Sequence, residues 1–363
     1  TALILAFSFL TLGYVALGVF QTKPTTIVAL TLIMVGGSFV KPTIMGTVAR
    51  CSDEANRARA YSIFYQMVNI GAFAGKTVAK PLRTELGLKY INFYSALMAL
   101  LALVVVIAFY RSPEASSVGK SLREVWQGLV RVLRNVRFIC LIVIVAGFWS
   151  IQGQLYATIP RYALRMVGEK AAPEWLANIN PLVVVLLVVP ITHLVRKIRP
   201  VSSIAIALLL IPLSALSISL SPILEKMTGT SVSVAGLFAL HPVTVMLVVG
   251  IALQGLAECF LSPRFYEYAS KQAPTGQEGL YMGYSQLTIF FAWLFGFAIS
   301  GYLLEAFCPD PMTLTPAQRL HAYDHAHYIW YVFVAIGVVA FLCLLLFKYL
   351  TDRIDQKQGK ELA

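Results

Sequence analysis

Apolar residues run in blocks of about twenty through almost the whole chain, separated by short polar stretches. In lipid each helix satisfies its own backbone polar groups, so such blocks predict membrane-spanning helices. Ten spans are expected, near residues 2–21, 25–48, 58–80, 88–111, 137–161, 178–197, 202–222, 240–270, 278–304 and 327–352. The stretch 112–136 departs from the pattern. It begins polar and then sets Leu122, Val125, Trp126, Leu129, Leu133 and Val136 at helical spacing among Arg123, Arg131 and Arg134. That spacing predicts an amphipathic helix lying on the membrane face, with a plain linker as the alternative to a lipid-binding role. The chain is thereby divided into a four-span bundle (1–111), a linker (112–136) and a six-span bundle (137–363).

Composition agrees with an all-α membrane protein. The chain is 58% hydrophobic and only 13% charged, far from the balance of a soluble domain. Its net charge of +12 would suggest nucleic acid in a soluble protein, but the basic residues sit in short loops between apolar blocks. Of the 29 Lys and Arg, 18 fall on the side of Thr1 and ten on the other, with Lys41 inside a span. The excess predicts that both termini are cytoplasmic, in an integral protein of the plasma or inner membrane. The five cysteines are scattered and read as small apolar fillers. The chain opens at Thr1, directly in an apolar block and with no initiator Met, and reads as lacking its true beginning.

Two charges stand inside apolar helices. Lys41 closes the stretch Gly36-Gly37-Ser38-Phe39-Val40-Lys41-Pro42, and Glu258 lies in Gly255-Leu256-Ala257-Glu258-Cys259-Phe260-Leu261-Ser262-Pro263. A charge at membrane depth costs roughly 2.5 kcal/mol or more, so each needs a partner, water or a substrate. The two stretches echo each other, rich in small residues, with one charge and a closing proline, and their prolines lie 221 residues apart. Related halves with a substrate site between them are a common transporter plan.

These stretches resemble those of the major facilitator superfamily, and more closely its proton-dependent oligopeptide transporter family. Gly36 to Pro42 is similar to that family's fourth-helix motif, and Phe64-Tyr65-Gln66-Met67-Val68-Asn69-Ile70-Gly71-Ala72 to its fifth-helix signature. Asn180-Pro181-Leu182 resembles the eighth-helix Asn-Pro. Ala257 to Pro263, followed by Ala273-Pro274 and Gly279, resembles the tenth helix and the loop after it. The likeness covers essentially the whole chain, from the family's third helix to its twelfth.

The resemblance implies a two-bundle transporter with a central cavity. It would import di- and tripeptides as a monomer in the bilayer, with no cofactor beyond the proton gradient as coupling ion. It implies that Lys41 meets the peptide carboxylate, that Asn69 and Asn180 bond the peptide backbone, and that Glu258 holds the amino group. Trp149 would line a side-chain pocket, and Tyr284 and Thr288 fall where the family has an aromatic and a small hydroxyl residue. The residue types agree, since a zwitterion carries one charge of each sign and Asn supplies both a donor and an acceptor. Interhelical hydrogen bonding is the alternative for the two asparagines, a helix–helix contact for Glu258, and snorkelling for Lys41.

Two departures bear on coupling. The family's first helix, with its acidic and arginine motif, has no counterpart here. In Phe148-Trp149-Ser150-Ile151-Gln152-Gly153-Gln154, Gly153 stands where the family usually has a carboxylate, and Gln154 is expected to keep the polar contact without titrating. A transporter for an organic anion or drug, or a transport-dead membrane scaffold, therefore stays open beside the peptide reading. Lys76, seven residues after Asn69 on the same face, reads as a vestibule or snorkelling lysine. Pro42, Pro190 and Pro263 read as kinks or packing positions. His321 and His325 have a spacing that can bind metal, but with His327 and Asp324 they read as a solvated loop. No phosphate loop or nucleophile constellation marks the chain as a pump or an enzyme.

Overall fold

The computed structural model describes residues 2–357 apart from 21, 54–55, 112–121, 235, 237, 274–277, 316–317 and 319–320. Pro274 and the polar opening of the linker at 112–121 therefore lie outside the described residues, as do the side chains of Leu122, Val125 and Arg131.

Among the described residues ten helical passages lie where the apolar blocks predict spans. Four come first: α1 (Ala2–Val19), α2 (Lys23–Arg50), α3 (Arg57–Pro81) and α4 (Leu88–Phe109). After α5 (Leu122–Arg134), α6 (Val136–Gln152) tightens into a 3-10 turn at Gly153–Leu155 and continues as α7 (Thr158–Val167). Next are α8 (Pro173–Leu194), α9 (Pro200–Ser219), the short α10 (Ser221–Thr228) and α11 (Pro242–Lys271). The chain closes with α12 (Glu278–Ser285), α13 (Leu287–Phe307) and α14 (Tyr328–Lys357). Among the described residues nine passages are long and apolar enough to cross a membrane by composition. The one left out is α3, where Arg57, Arg59, Gln66, Asn69, Lys76 and Lys80 dilute the apolar run. Its polarity is what suits it to an interior position rather than a lipid-facing one.

Three features were not legible in the apolar pattern. An antiparallel hairpin pairs Val232–Val234 with Phe238–Leu240, the one sheet among the described residues. The span predicted at 278–304 is broken between α12 and α13, and the Thr288 hydroxyl donates back to Ser285 O at 2.8 Å across the break. The linker helix α5 also has two characters. Gly128 and Val132, one turn apart, are buried, and a Cβ at Gly128 would fall 2.8 Å from Leu280. Trp126 and Leu133 form a separate exposed strip.

Packing follows small residues. The Gly36 of the Lys41 motif is where α2 meets α1, since a Cβ there would lie 2.7 Å from Ala6 O. α1 packs on α2 and α4. In the second half α11 packs on α8 and α9, and α14 on α6 and α9. The halves meet where α3 lies against α8 and α11, and where α12 lies against α2. Ion pairs mark one end of the molecule, where Arg137 meets Asp355 at 2.6 Å and Arg199 meets Asp352 at 3.3 Å. This basic end gathers the starts of α3, α6 and α9 and the last turns of α8, α11 and α14. At the opposite end Lys80 lies over Trp175 and Arg165 pairs with Asp310.

Candidate functional site

Glu258 lies in the middle of α11, only 4% exposed, and three helices converge on it. The Tyr65 hydroxyl on α3 donates to Oε1. Gln152 Nε2, at the end of α6, donates to Oε2 at 2.7 Å, and Asn180 Nδ2 on α8 donates to the same oxygen at 3.0 Å. A bond to a charged group contributes about 1.5–3 kcal/mol, and an isolated buried charge costs several, so such a carboxylate needs a cage of donors. The donors are neutral, and among the described residues no Lys or Arg forms an ion pair with Glu258.

Two ammonium groups nevertheless stand within Coulombic reach of it, Lys41 and Lys76. Lys41 is half-buried and its Nζ lies 5.6 Å from the centroid of the Tyr266 ring, a cation–π distance. The same ring is a tilted neighbour of Tyr65 at 6.2 Å and of Tyr61 at 5.8 Å. An aromatic bridge thus separates the positive group on α2 from the negative group on α11. Lys76 is held by protein groups. Its Nζ donates to Tyr156 Oη at 3.3 Å and to Ala177 O at 3.2 Å, tying α3 to the start of α8. Beside it Asn178 donates to Thr77 Oγ1 at 3.0 Å.

The remaining expected residues divide. Asn180 joins the cage. Asn69 is buried, but its amide donates to Tyr65 O on its own helix at 2.9 Å, so it steadies the turn that carries Tyr65. Trp149 is buried in the apolar core, edge-on to Phe148 at 5.4 Å. Tyr284 is half-buried against the same core, and Thr288 is spent on Ser285 O. None of these last three bonds to Glu258.

The amide expected of Gln154 is supplied by Gln152 instead. Gln154 points away, donating to Ser150 O at 2.8 Å and Gly296 O at 3.3 Å, while the Thr158 hydroxyl donates to its Oε1 at 2.6 Å. The reason is local: the chain tightens into the 3-10 turn directly after Gln152, which rotates the next residues off the α-helical face. At Gly153 a Cβ would meet Trp293 at 3.1 Å and Phe297 at 3.3 Å. Those two rings stack at 5.5 Å, so aromatic surface occupies the place a side chain would take.

Tyr65 and Tyr266 are the members of the site that sequence reading does not assign. A signal existed for Tyr65, which lies one helical turn before Asn69, but nothing local points from it to Glu258. Gln254, one turn before Glu258 on α11, is fully buried with neither amide atom paired among the described residues. His321 pairs with Asp324 at 2.9 Å and His325 stacks on Tyr328 at 4.9 Å. Among the described residues no group of three His, Cys, Asp or Glu could hold a metal.

The family profile described as Major Facilitator Superfamily matches residues 1–228 and 226–362. Among curated proteins, the chain is 25% identical over 315 residues to "Multidrug resistance protein MdtH" of Klebsiella pneumoniae, covering 85% of this chain and 68% of that one. It is 23% identical over 341 residues to the protein of that name in Blochmanniella pennsylvanica, covering 93% and 75%. Among solved structures, a POT family transporter in complex with a thioalcohol-conjugated peptide aligns with a TM-score of 0.68 at 18% identity, covering 97% of this chain and 81% of that one. The human organic anion transporter MFSD10 aligns with a TM-score of 0.63 at 13% identity, covering 94% and 76%.

Proposed function

Because the chain belongs to the Major Facilitator Superfamily, a family of transporters and not of enzymes, we propose that it imports small zwitterions, di- and tripeptides above all, by alternating access. The observation that carries this reading is the caged carboxylate. Glu258 is held by three neutral donors from α3, α6 and α8, with two ammonium groups nearby but not paired with it. A substrate ammonium can replace the amides of Gln152 and Asn180 on Oε2 and gain a charge–charge contact that no residue now supplies. The substrate carboxylate would then be met by Lys41. Among the described residues the amide of Gln254, one turn before Glu258, and the Oε1 of Gln152 have no partner, and they suit peptide N–H and C=O groups beside the carboxylate. The solved peptide transporters that share the fold at 18–19% identity support the same reading.

Movement follows from how the cage is built. Tyr65 belongs to the first half and Glu258, Gln152 and Asn180 to the second, so the Tyr65–Glu258 bond is the member of the cage that joins the halves and would have to change as they move. With Gly153 lacking an acid, Glu258 is the group that would carry a coupling proton, alternating between its cage and the substrate amine. The termini would be cytoplasmic, as the excess of basic loops on that face predicts.

A second reading is export or exchange of amphipathic cations. It rests on the multidrug resistance proteins among the relatives and on the stacked Trp293–Phe297 pair, which offers aromatic surface against Gly153, the residue after Gln152. Uptake of labelled dialanine and of ethidium into liposomes, with and without an inward proton gradient, separates the two. Dialanine uptake that is lost in Glu258→Gln is the expected result. Flux of ethidium alone would replace the first reading with the second.

A further inference from the structure

At the basic end, about two to three and a half helical turns along α11 from Glu258, a polar cavity of about 970 Å³ opens between the halves. Its walls are the first turns of α3, the last turns of α8 and the last turns of α11. Six charged or titratable groups line it, and they sort into two sets. Arg264, Glu267 and Lys271 on α11 form a closed network. Arg264 Nη1 meets Glu267 Oε2 at 2.6 Å, and Lys271 meets Glu267 Oε1 at 3.1 Å. Arg264 also donates to the carbonyls of Val195 and Ile198, clamping the turn after α8. Glu267, the one acid among the described lining residues, is thereby neutralised twice over.

The other set is open. Arg59 on α3 and Arg196 after α8 are exposed to the cavity, and among the described residues neither has an acidic partner. His193 lies beside them. Two guanidinium groups lining one cleft, with the local acid already satisfied, are the side chains that bind a phosphate group through paired N–H donors. A cavity at the end of a membrane helix bundle also sits at headgroup depth, where anionic lipids collect basic residues.

We propose that this crevice is a phosphate-binding site, distinct from the Glu258 site, in which Arg59 from the first half and Arg196 from the second share one anionic phosphate. Occupancy ties α3 to the end of α8 and so favours the arrangement in which the basic end is closed. The phosphate can belong to an anionic phospholipid or be free in solution, and the test separates the two.

The full chain in detergent is titrated, by native mass spectrometry, with phosphatidylglycerol, phosphatidylcholine and inorganic phosphate. The variants are Arg59→Gln/Arg196→Gln and, as a charge-matched control on the same face, Lys197→Gln/Arg353→Gln. Phosphatidylglycerol should bind at least tenfold tighter than phosphatidylcholine, and the Arg59/Arg196 pair should lose about tenfold while the control does not. Inorganic phosphate that binds, or displaces the lipid, with the same dependence on the two arginines assigns the free anion and also supports the site. Equal losses in both double variants, or no preference for either phosphate source over phosphatidylcholine, would overturn it. If the Arg59/Arg196 pair fails to fold, Arg59→Lys/Arg196→Lys keeps the charge but not the fork, and an undiminished affinity there counts against a guanidinium–phosphate site. The outcome is independent of what the transporter carries, because no group of the Glu258 cage is altered.

Discussion

The phenol of Tyr65 on α3 donates to the carboxylate of Glu258 on α11, joining two helices from different halves of the molecule across 193 positions of sequence. The bond makes this buried mid-helix acid a joint between the halves. Tyr65→Phe removes the donor without changing the ring. A buried carboxylate should lose about 1.5–3 kcal/mol of stabilisation. Transport should fall more steeply than in a surface variant, and the thermal midpoint in detergent should drop. Unchanged uptake together with an unchanged midpoint would mean that the bond contributes nothing to the cage.

Gln152 and Gln154 are two residues apart and should behave differently. Gln152→Leu deletes a donor to Glu258, so substrate uptake should fall with a modest loss of stability. Gln154→Leu breaks bonds to Ser150, Gly296 and Thr158, orphaning buried groups at a cost of about 1–3 kcal/mol, and should act on the melting temperature first. Measuring both properties for both variants tests the assignment. A reversed order would transfer the site contact to Gln154.

Gly153 is hemmed in by Trp293 and Phe297. Gly153→Ala should destabilise by about 1–3 kcal/mol through overpacking, and Trp293→Ala in the same chain should recover most of it. A double-mutant cycle of thermal unfolding reads the coupling. Additive effects would show that the indole does not set the space at this position.

Acid should weaken the loop before α14. Burial, reinforced by the charges of His325 and Lys226, holds His327 below the ordinary histidine value. Its folded pKa is thus lower than its unfolded one, and the unfolded chain binds the extra proton. Stability is therefore full above the unfolded histidine value of about 6.5 and declines as pH falls below it, until the folded pKa is passed. Melting curves from pH 8 to 5 should show a smaller acid loss in His327→Gln than in the parent. Parallel curves would remove His327 as the source.

Much of the fold was legible in the chain because lipid imposes one rule on every segment. A passage must be a helix and must be about twenty apolar residues long, so spans from Ala2–Val19 to Tyr328–Lys357 can be read one at a time. The same rule flagged Lys41 and Glu258, since a charge in such a run needs a reason. Asn180 was placed through its neighbouring proline and the resemblance that motif carries.

What the sequence by itself determined, then, is the set of helices and the few polar groups that cannot face lipid. Only the tertiary structure decided which of those groups meet. It sent Gln152 rather than Gln154 to Glu258, turned Asn69 back onto its own helix, and set Lys41 against Tyr266 instead of against the acid. The physical reason is that a helix fixes the direction of each side chain along its own axis. The rotation and depth of one helix against another come from packing at distant small residues such as Gly36 against Ala6, and no local pattern records them.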